Sequence, residues 1–273
     1  EKARPPESRA NLDAKYHLDE PRLQQYFRYL GQIMSGDFGP SFQYKDRTVN
    51  DIIEQGFPVT LTYGFWSFVV AVVVGTSLGV AAAIKQNSWI DYLAVGLSIG
   101  AQVLPNFVMA PLLVLVFTLW LGWLPGGGWN GGQWNHVIMP VIALSTSYMA
   151  SIARLTRSSM LEVLRSNFIR TARAKGVGEL AILVRHCLRG GLIPVVAFLG
   201  PAFAGLLAGS FVVETIFQIP GLGRFYVQAA FNRDYTMILG TTVFLSTLIV
   251  LFNLLSDVLA AWLNPRLRSQ FGE

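Results

Sequence analysis

Four stretches of this 273-residue chain contain no Asp, Glu, Lys or Arg: residues 55–84, 92–153, 190–213 and 235–256. Charged residues are 14% of the total and hydrophobic ones 52%, whereas an ordinary soluble domain is roughly a quarter charged. Each run is long enough for the ~20 apolar residues with which a helix crosses a bilayer. These runs exclude a soluble globular protein, and their apolar content excludes a disordered chain. Cysteine is nearly absent. The single Cys187 rules out an intramolecular disulfide and a Cys-rich metal site.

Other absences narrow the function. The apolar runs hold no ladder of acids and histidines for a proton relay. There is no His-Glu-x-x-His metal motif and no Gly-x-x-x-x-Gly-Lys-[Ser/Thr] phosphate loop. No metal site or catalytic residue is therefore expected, and no cofactor on this chain. If ATP drives the protein, another chain binds it. The chain opens at Glu1 in a polar stretch, without an apolar leader. Its natural N-terminus is expected to lie further upstream, together with one more membrane helix.

The apolar runs predict an all-α polytopic membrane protein with five visible spans, near 57–84, 92–121, 137–153, 192–213 and 235–259. Residues 122–135 interrupt the longest run with six glycines, Pro125 and three tryptophans. Gly and Pro mark irregular chain, and Trp favours the membrane–water interface. Orientation follows from Lys and Arg in short loops. Residues 154–189 carry eight bases against Glu162 and Glu179, so this loop belongs in the cytoplasm. Lys85 and the tail bases Arg266 and Arg268 fall on the same side. The net charge of +5 is accounted for by this topology, and nucleic acid is not an expected partner. Residues 1–56 then form an external segment, 57–265 the membrane domain and 266–273 a cytoplasmic tail. Within the external segment, Pro21 to Ser35 predicts an amphipathic helix with the stripe Leu23, Tyr26, Phe27, Leu30 and Met34.

Ionisable residues near the spans are few. Asp257, in the last span, is read as a capping, interfacial or interhelical contact, with a substrate or gating role as the alternative. Glu214, at the outer end of the fourth span, is read as interfacial. Gly75/Gly79, Gly96/Gly100 and Gly205/Gly209 have the Gly-x-x-x-Gly spacing that lets helices approach closely. Static packing is the simpler reading of these pairs, a sliding interface the sharper one.

The loop 154–191 carries the strongest signal. The third span continues through Ser159–Val163. A short helix over Asn167 to Lys175 leads to Gly176. Leu180, Leu183, Val184, Cys187 and Leu188 then follow helical spacing, with Gly190-Gly191 as the stop. The run Asn167-Phe168-Ile169-Arg170-Thr171-Ala172-Arg173-Ala174-Lys175-Gly176, with Arg185-His186 and Ile193-Pro194, resembles the cytoplasmic loop of ABC-importer permeases of the peptide/nickel subgroup. Ala172 and Gly176 match the general family pattern. Arg170 and Thr171 depart from it, as that subgroup does. Gly36-Asp37-Phe38-Gly39, Phe57-Pro58-Val59-Thr60 and Glu214 to Gly223 resemble further parts of the subgroup. Leu124 to Trp129 is similar to its oligopeptide-permease B-type branch.

The resemblance covers nearly the whole chain and implies a six-span permease bundle in the bacterial cytoplasmic (inner) membrane. It implies import of oligopeptides by an ATP-driven transporter. The implied partners are a homologous second permease, two cytoplasmic ATPase subunits that hold ATP and Mg, and an external peptide-binding protein. It assigns ATPase coupling to Arg170, Ala172, Arg173, Ala174, Lys175 and Gly176, with Arg170, Arg173 and Lys175 available to pair with acidic groups on the ATPase. Substrate-path residues are not assigned, and nickel or another small solute shares the same loop motif. The rival classes are an ion-coupled secondary transporter or channel, for which Asp257 is the main candidate, and an intramembrane enzyme, for which no nucleophile–base pair is visible.

Overall fold

The computed structural model describes residues 20–44 and 47–263. The tail bases Arg266 and Arg268 lie outside the described residues. Among those described, the chain is helical, with one isolated bridge between Pro40 and Thr48.

Helix α1 (Arg22–Met34) follows Pro21, as the sequence leads one to expect. Helix α2 (Val49–Ile84) starts well before the expected span near Phe57. The cause is a capping box. Thr48 Oγ1 accepts from the Asp51 N–H at 3.2 Å, and the Asp51 carboxylate accepts from the Thr48 N–H at 2.8 Å. Asp51 and Glu54 are exposed, so their charge does not interrupt the helix. Pro58 lies inside α2 without ending it.

The second expected span, 92–121, is not one helix. Helix α3 (Trp89–Val103) and the segment Asn106–Trp120 meet at a 103° bend. Helix α4 (Asn106–Leu113) opens that segment, and a wider π-helical turn, Val114–Trp120, continues it. The bend has a local cause. Proline disfavours the helical conformation in the residue before it, and Leu104 is extended, with ψ 110°, as is Pro105, with ψ 151°. Two consecutive extended residues redirect the chain. The bent pair still carries it from one end of the bundle to the other. Asp91 near its start is bound to Arg157 beside the basic loop. At the far end, just beyond it, Gly128 N–H donates to the Phe217 carbonyl at 2.7 Å.

Helix α5 (Trp134–Leu164) runs unbroken past Arg154, and Pro140 does not stop it. Helix α6 (Asn167–Ala174), the short α7 (Glu179–Ala181), a π-helical turn Ile182–Cys187 and α8 (Leu188–Gly191) form a knob at the basic end. Helix α9 (Ile193–Ile216) returns, α10 (Leu222–Asn232) caps the far end, and α11 (Tyr235–Leu263) crosses last. Four helices, α2, α5, α9 and α11, are each long and apolar enough to span a membrane, and the bent pair supplies a fifth crossing.

Helices α2 and α5 run parallel and touch closely at Gly75 and Gly79. A Cβ on Gly75 would lie 2.7 Å from the Met149 carbonyl oxygen, and one on Gly79 2.5 Å from that of Ala153. The other two glycine pairs differ. Gly205 packs on the Tyr148 ring, Gly209 has only loose neighbours, and Gly96 and Gly100 face open space. Buried clusters stack along the bundle. Val49, Ile52, Leu222 and Met237 fill the far end, Tyr63, Leu144, Leu206 and Phe217 the next level, and Met160, Ile169, Ile182 and Cys187 the basic end. Outward faces stay apolar, including Leu93, Leu97 and Val103 on α3 and Val250, Leu254 and Val258 on α11. Such a surface suits hydrocarbon, and helices satisfy their own backbone polar groups there.

Candidate functional site

At the basic end α6 hangs from the bundle by Ile169, which is fully buried, and by half-buried Ala172. Arg170, Arg173, Ala174, Lys175 and Gly176 are all exposed. Phe168, Val177 and Leu180 add apolar surface beside them. The helix ends in a Schellman turn: Gly176 N–H donates to the Arg173 carbonyl at 2.9 Å and Val177 N–H to that of Ala172 at 3.1 Å. Gly176 has φ +78°, and a Cβ there would meet nothing within 4 Å. Its glycine serves the left-handed backbone and not a close approach.

Arg173 is exposed and paired within the knob. Its Nε lies 2.7 Å from Glu179 Oε1 and its Nη2 3.1 Å from Oε2, a forked bridge across the Gly176 turn. The Arg173 guanidinium holds the Glu179 carboxyl below the usual carboxylate range. The pair braces α6 against α7. Arg170 and Lys175 remain outward.

The second half of the knob departs from the expected stripe. Its Cys187 is fully buried and its Leu183 and Leu188 half-buried, but its Leu180 and Val184 are exposed, and Ile182, outside it, is fully buried. The π-helical winding explains this, since five-residue spacing puts 182 and 187 on one face. Burial pushes the Cys187 thiol up, so it is a packing residue and not a reactive one. Gly190-Gly191 does not end the helix by flexibility. Ser159 Oγ donates to the Gly191 carbonyl at 2.5 Å, and a Cβ on Gly191 would lie 2.5 Å from Met160 Sδ. The glycines let α8 lie flat on α5.

A forked ion pair with a buried carboxylate joins the base of the bent pair to α5. Arg157 Nε donates to Asp91 Oδ1 at 2.5 Å and Arg157 Nη2 to Oδ2 at 2.8 Å. Asp91 is 2% exposed. Asn87 N–H donates to the same carboxylate at 2.9 Å. Sequence reasoning noted Arg157 only as one of eight bases and passed over Asp91. A signal was present, because Asp91 is the only charge between Lys85 and Arg154.

At the far end Glu214 is fully buried, not interfacial. Its Oε1 accepts from Thr60 Oγ1 at 2.7 Å, Tyr63 OH at 2.6 Å and Ser210 Oγ at 3.1 Å. Its Oε2 accepts from the Arg224 N–H at 2.8 Å, and Thr60 Oγ1 accepts from the Leu222 N–H at 2.9 Å. Two of the first N–H groups of α10 are thus capped by α2 and α9. Buried Asp234 serves α11 similarly. It accepts from the Met237 N–H at 3.1 Å and from Ser41 Oγ at 2.5 Å. Asp257 is exposed among Leu254, Val258 and Leu259 and has no hydrogen-bond partner among the described residues. No three His, Cys, Asp or Glu side chains converge as a metal site among the described residues.

Residues 75–269 match the family described as binding-protein-dependent transport system inner membrane component. The chain is 50% identical over 268 residues to the oligopeptide transport system permease protein OppB of Haemophilus influenzae, covering 98% of this chain and 88% of that protein. It is 53% identical to OppB of Salmonella typhimurium over the same shares. With the dipeptide transport system permease protein DppB of Bacillus subtilis it shares 45% over 94% of this chain and 83% of the relative. The fold is similar to an inward-facing MetNI methionine ABC transporter chain, with TM-score 0.65 at 17% identity over 78% of this chain and 96% of that one. A chain of an amino acid ABC transporter gives TM-score 0.63 at 17% identity, over 77% and 94%. By its match over residues 75–269 and its identity of about half to these permeases, the chain belongs to the family of binding-protein-dependent transport system inner membrane components, as a multi-pass protein of the inner membrane.

Proposed function

We propose that this chain is a membrane subunit of an ATP-driven importer that passes oligopeptides, delivered by an external binding protein, across the inner membrane. The observation that carries this reading is its identity of about half, over nearly its whole length, to permeases named for oligopeptide transport. A homologous permease would complete the path, and two ATPase subunits would dock below. ATP and Mg belong to those subunits, since this sequence has no phosphate-binding loop.

In this reading the basic end faces the cytoplasm, and α6 with its Gly176 turn is the coupling element. Ile169 and Ala172 fasten it to the bundle. Arg170 and Lys175 contact acidic groups on the ATPase, while Ala174 and Gly176 shape the contact without charge. Arg173 acts at one remove, by holding Glu179. Because α5 is continuous from the far end to Leu164, a push on α6 is delivered along a rigid rod of about 1.5 Å rise per residue. The test is a mild-detergent pull-down of the tagged protein from its host, with partners identified by mass. A second permease and ATPase subunits are the expected co-purifying chains, and uptake of a labelled tripeptide in proteoliposomes is expected to require ATP. Purification alone, or uptake driven by an ion gradient without ATP, would overturn the reading.

A further inference from the structure

The Asp91–Arg157 pair stands where one weakly held helix meets one firmly held rod. Helix α3 buries only Asp91, Ala94 and Ser98. Tyr92, Leu93, Leu97, Ile99 and Val103 all face outward. The residues it does bury are small, so apolar packing fastens α3 poorly. Helix α5, by contrast, is locked to α2 along Gly75 and Gly79. The pair is also geometrically strict. The guanidinium fork meets both carboxylate oxygens, which fixes orientation as well as distance. The Asn87 N–H on Oδ2 holds the carboxylate to the start of its own helix.

A second tie lies beyond the bend. Ser147 Oγ, on α5, donates to Asn106 Oδ1, the first residue of α4, at 3.3 Å. Ser147 and Arg157 are separated by about 15 Å of helix. The bent crossing is therefore pinned to α5 twice, once on each side of the extended Leu104-Pro105 joint, and the charged pin is the one nearer the basic knob.

We infer that Asp91 and Arg157 are positioning residues that make α3 follow α5, so that a displacement of α5 at the knob is passed to the bent crossing. Neither residue touches transported solute or nucleotide in this assignment. The inference rests on the coupling role proposed for residues 170–176. It adds that the bent crossing moves with α5 because a forked ion pair, buried on its Asp91 side, holds it there.

The test uses the complete transporter in proteoliposomes, with tritiated trialanine as the transported probe. Asp91→Asn and Arg157→Gln are expected to keep ATP turnover within about twofold of the native complex while trialanine moved per ATP falls at least tenfold. Arg157→Lys, which keeps the charge and loses the fork, is expected to fall between them and the native complex. Nitroxide labels on exposed Leu97 of α3 and Ser158 of α5 add a readout that a loss of stability alone does not predict. In the native complex their distance is narrow with and without trapped ATP, and in Asp91→Asn it broadens. Native transport per ATP in Asp91→Asn, or an unchanged narrow distance, overturns the inference. If Asp91→Asn does not assemble, Arg157→Lys carries the same comparison, and native coupling in it overturns the inference as well. The two readings fail differently. If the importer reading is wrong, the native complex itself shows no ATP-dependent uptake. If only the ion-pair assignment is wrong, native uptake depends on ATP and the Asp91 variant behaves like it.

Discussion

Tyr63 on α2 donates its hydroxyl to the Glu214 carboxylate on α9 at 2.6 Å, and both side chains are fully buried. This contact joins two crossings at the end where α10 begins. Removing one donor differs from removing the acceptor. Tyr63→Phe leaves Glu214 with Thr60, Ser210 and the Arg224 N–H, so the expected loss is about 1–2 kcal/mol. Glu214→Ala strands several buried donors at once, and the expected loss is at least about 3 kcal/mol. Thermal unfolding in detergent gives the order. Hydrogen exchange gives the place, because the amides of Leu222 and Arg224 are expected to lose protection in Glu214→Ala. Equal effects from the two substitutions would show that the network is not centred on Glu214.

Gly176 makes a different prediction, since space is not its constraint. A side chain there meets nothing, but φ +78° is the left-handed region. Gly176→Ala is expected to cost the turn about 1–2 kcal/mol, and Gly176→Asn less, because Asn tolerates this conformation. The Arg173–Glu179 bridge spans the same turn, so loosening it reorients α6. Binding of the ATPase subunits to the purified membrane pair measures the effect, in the order native, Asn, Ala. An Ala variant that binds at least as well as the Asn variant would remove the argument from backbone strain.

Spacing alone treats all Gly-x-x-x-Gly pairs alike, and the structure separates them. Gly79→Ala pushes a methyl to 2.5 Å from the Ala153 carbonyl oxygen. Overpacking of this kind costs about 1–3 kcal/mol. Gly96→Ala enters open space, where the better helix former gains up to about 1 kcal/mol. The expected result is a lower melting temperature for the first variant and an unchanged or raised one for the second. Two variants that melt alike would contradict the close α2–α5 seam.

These contrasts show which features a sequence displays. The crossings were legible because hydrocarbon imposes length and lack of charge on whole runs, and those survive any detail of packing. The start of α2 was not: the charges at Asp51 and Glu54 put the expected start too far along, where the Thr48–Asp51 capping box opens the helix earlier. The knob's buried face was legible in part. A stripe drawn at α-helical spacing selects Leu183, Cys187 and Leu188, which do pack inward, but a single π-helical turn leaves its Leu180 and Val184 exposed and buries Ile182 instead. Asp91, an isolated charge in the sequence, was passed over because its partner lies 66 residues away, and only the approach of α3 to α5 reveals it. Glu214 was misplaced for a related reason. Its position at a span's end suggests an interface, while the α10 N-terminus folding over it makes that position an interior.

The bend at Leu104-Pro105 yields the last prediction. Hydropathy reads this crossing as one run, so the bend depends on local backbone preference, and Pro105 is its source. With Ala at 105, Leu104 is no longer disfavoured in the helical conformation, and a hydrogen bond becomes available from the new N–H to the Ala101 carbonyl. The two segments are then free to form one helix. Labels on exposed Leu97 and Leu112, on either side of the joint, are expected to move apart in Pro105→Ala as the 103° bend opens. Opposing this, Asn106 is hydrogen-bonded to Ser147 and Ala110 and Leu113 are buried. Straightening would pull all three from their places. Pro105→Ala is therefore expected to broaden the label distance toward longer values, and Pro105→Ala with Asn106→Ala to lengthen it further by removing the tie to α5. If both variants keep the native distance, packing around α4 holds the bend by itself and the proline is dispensable.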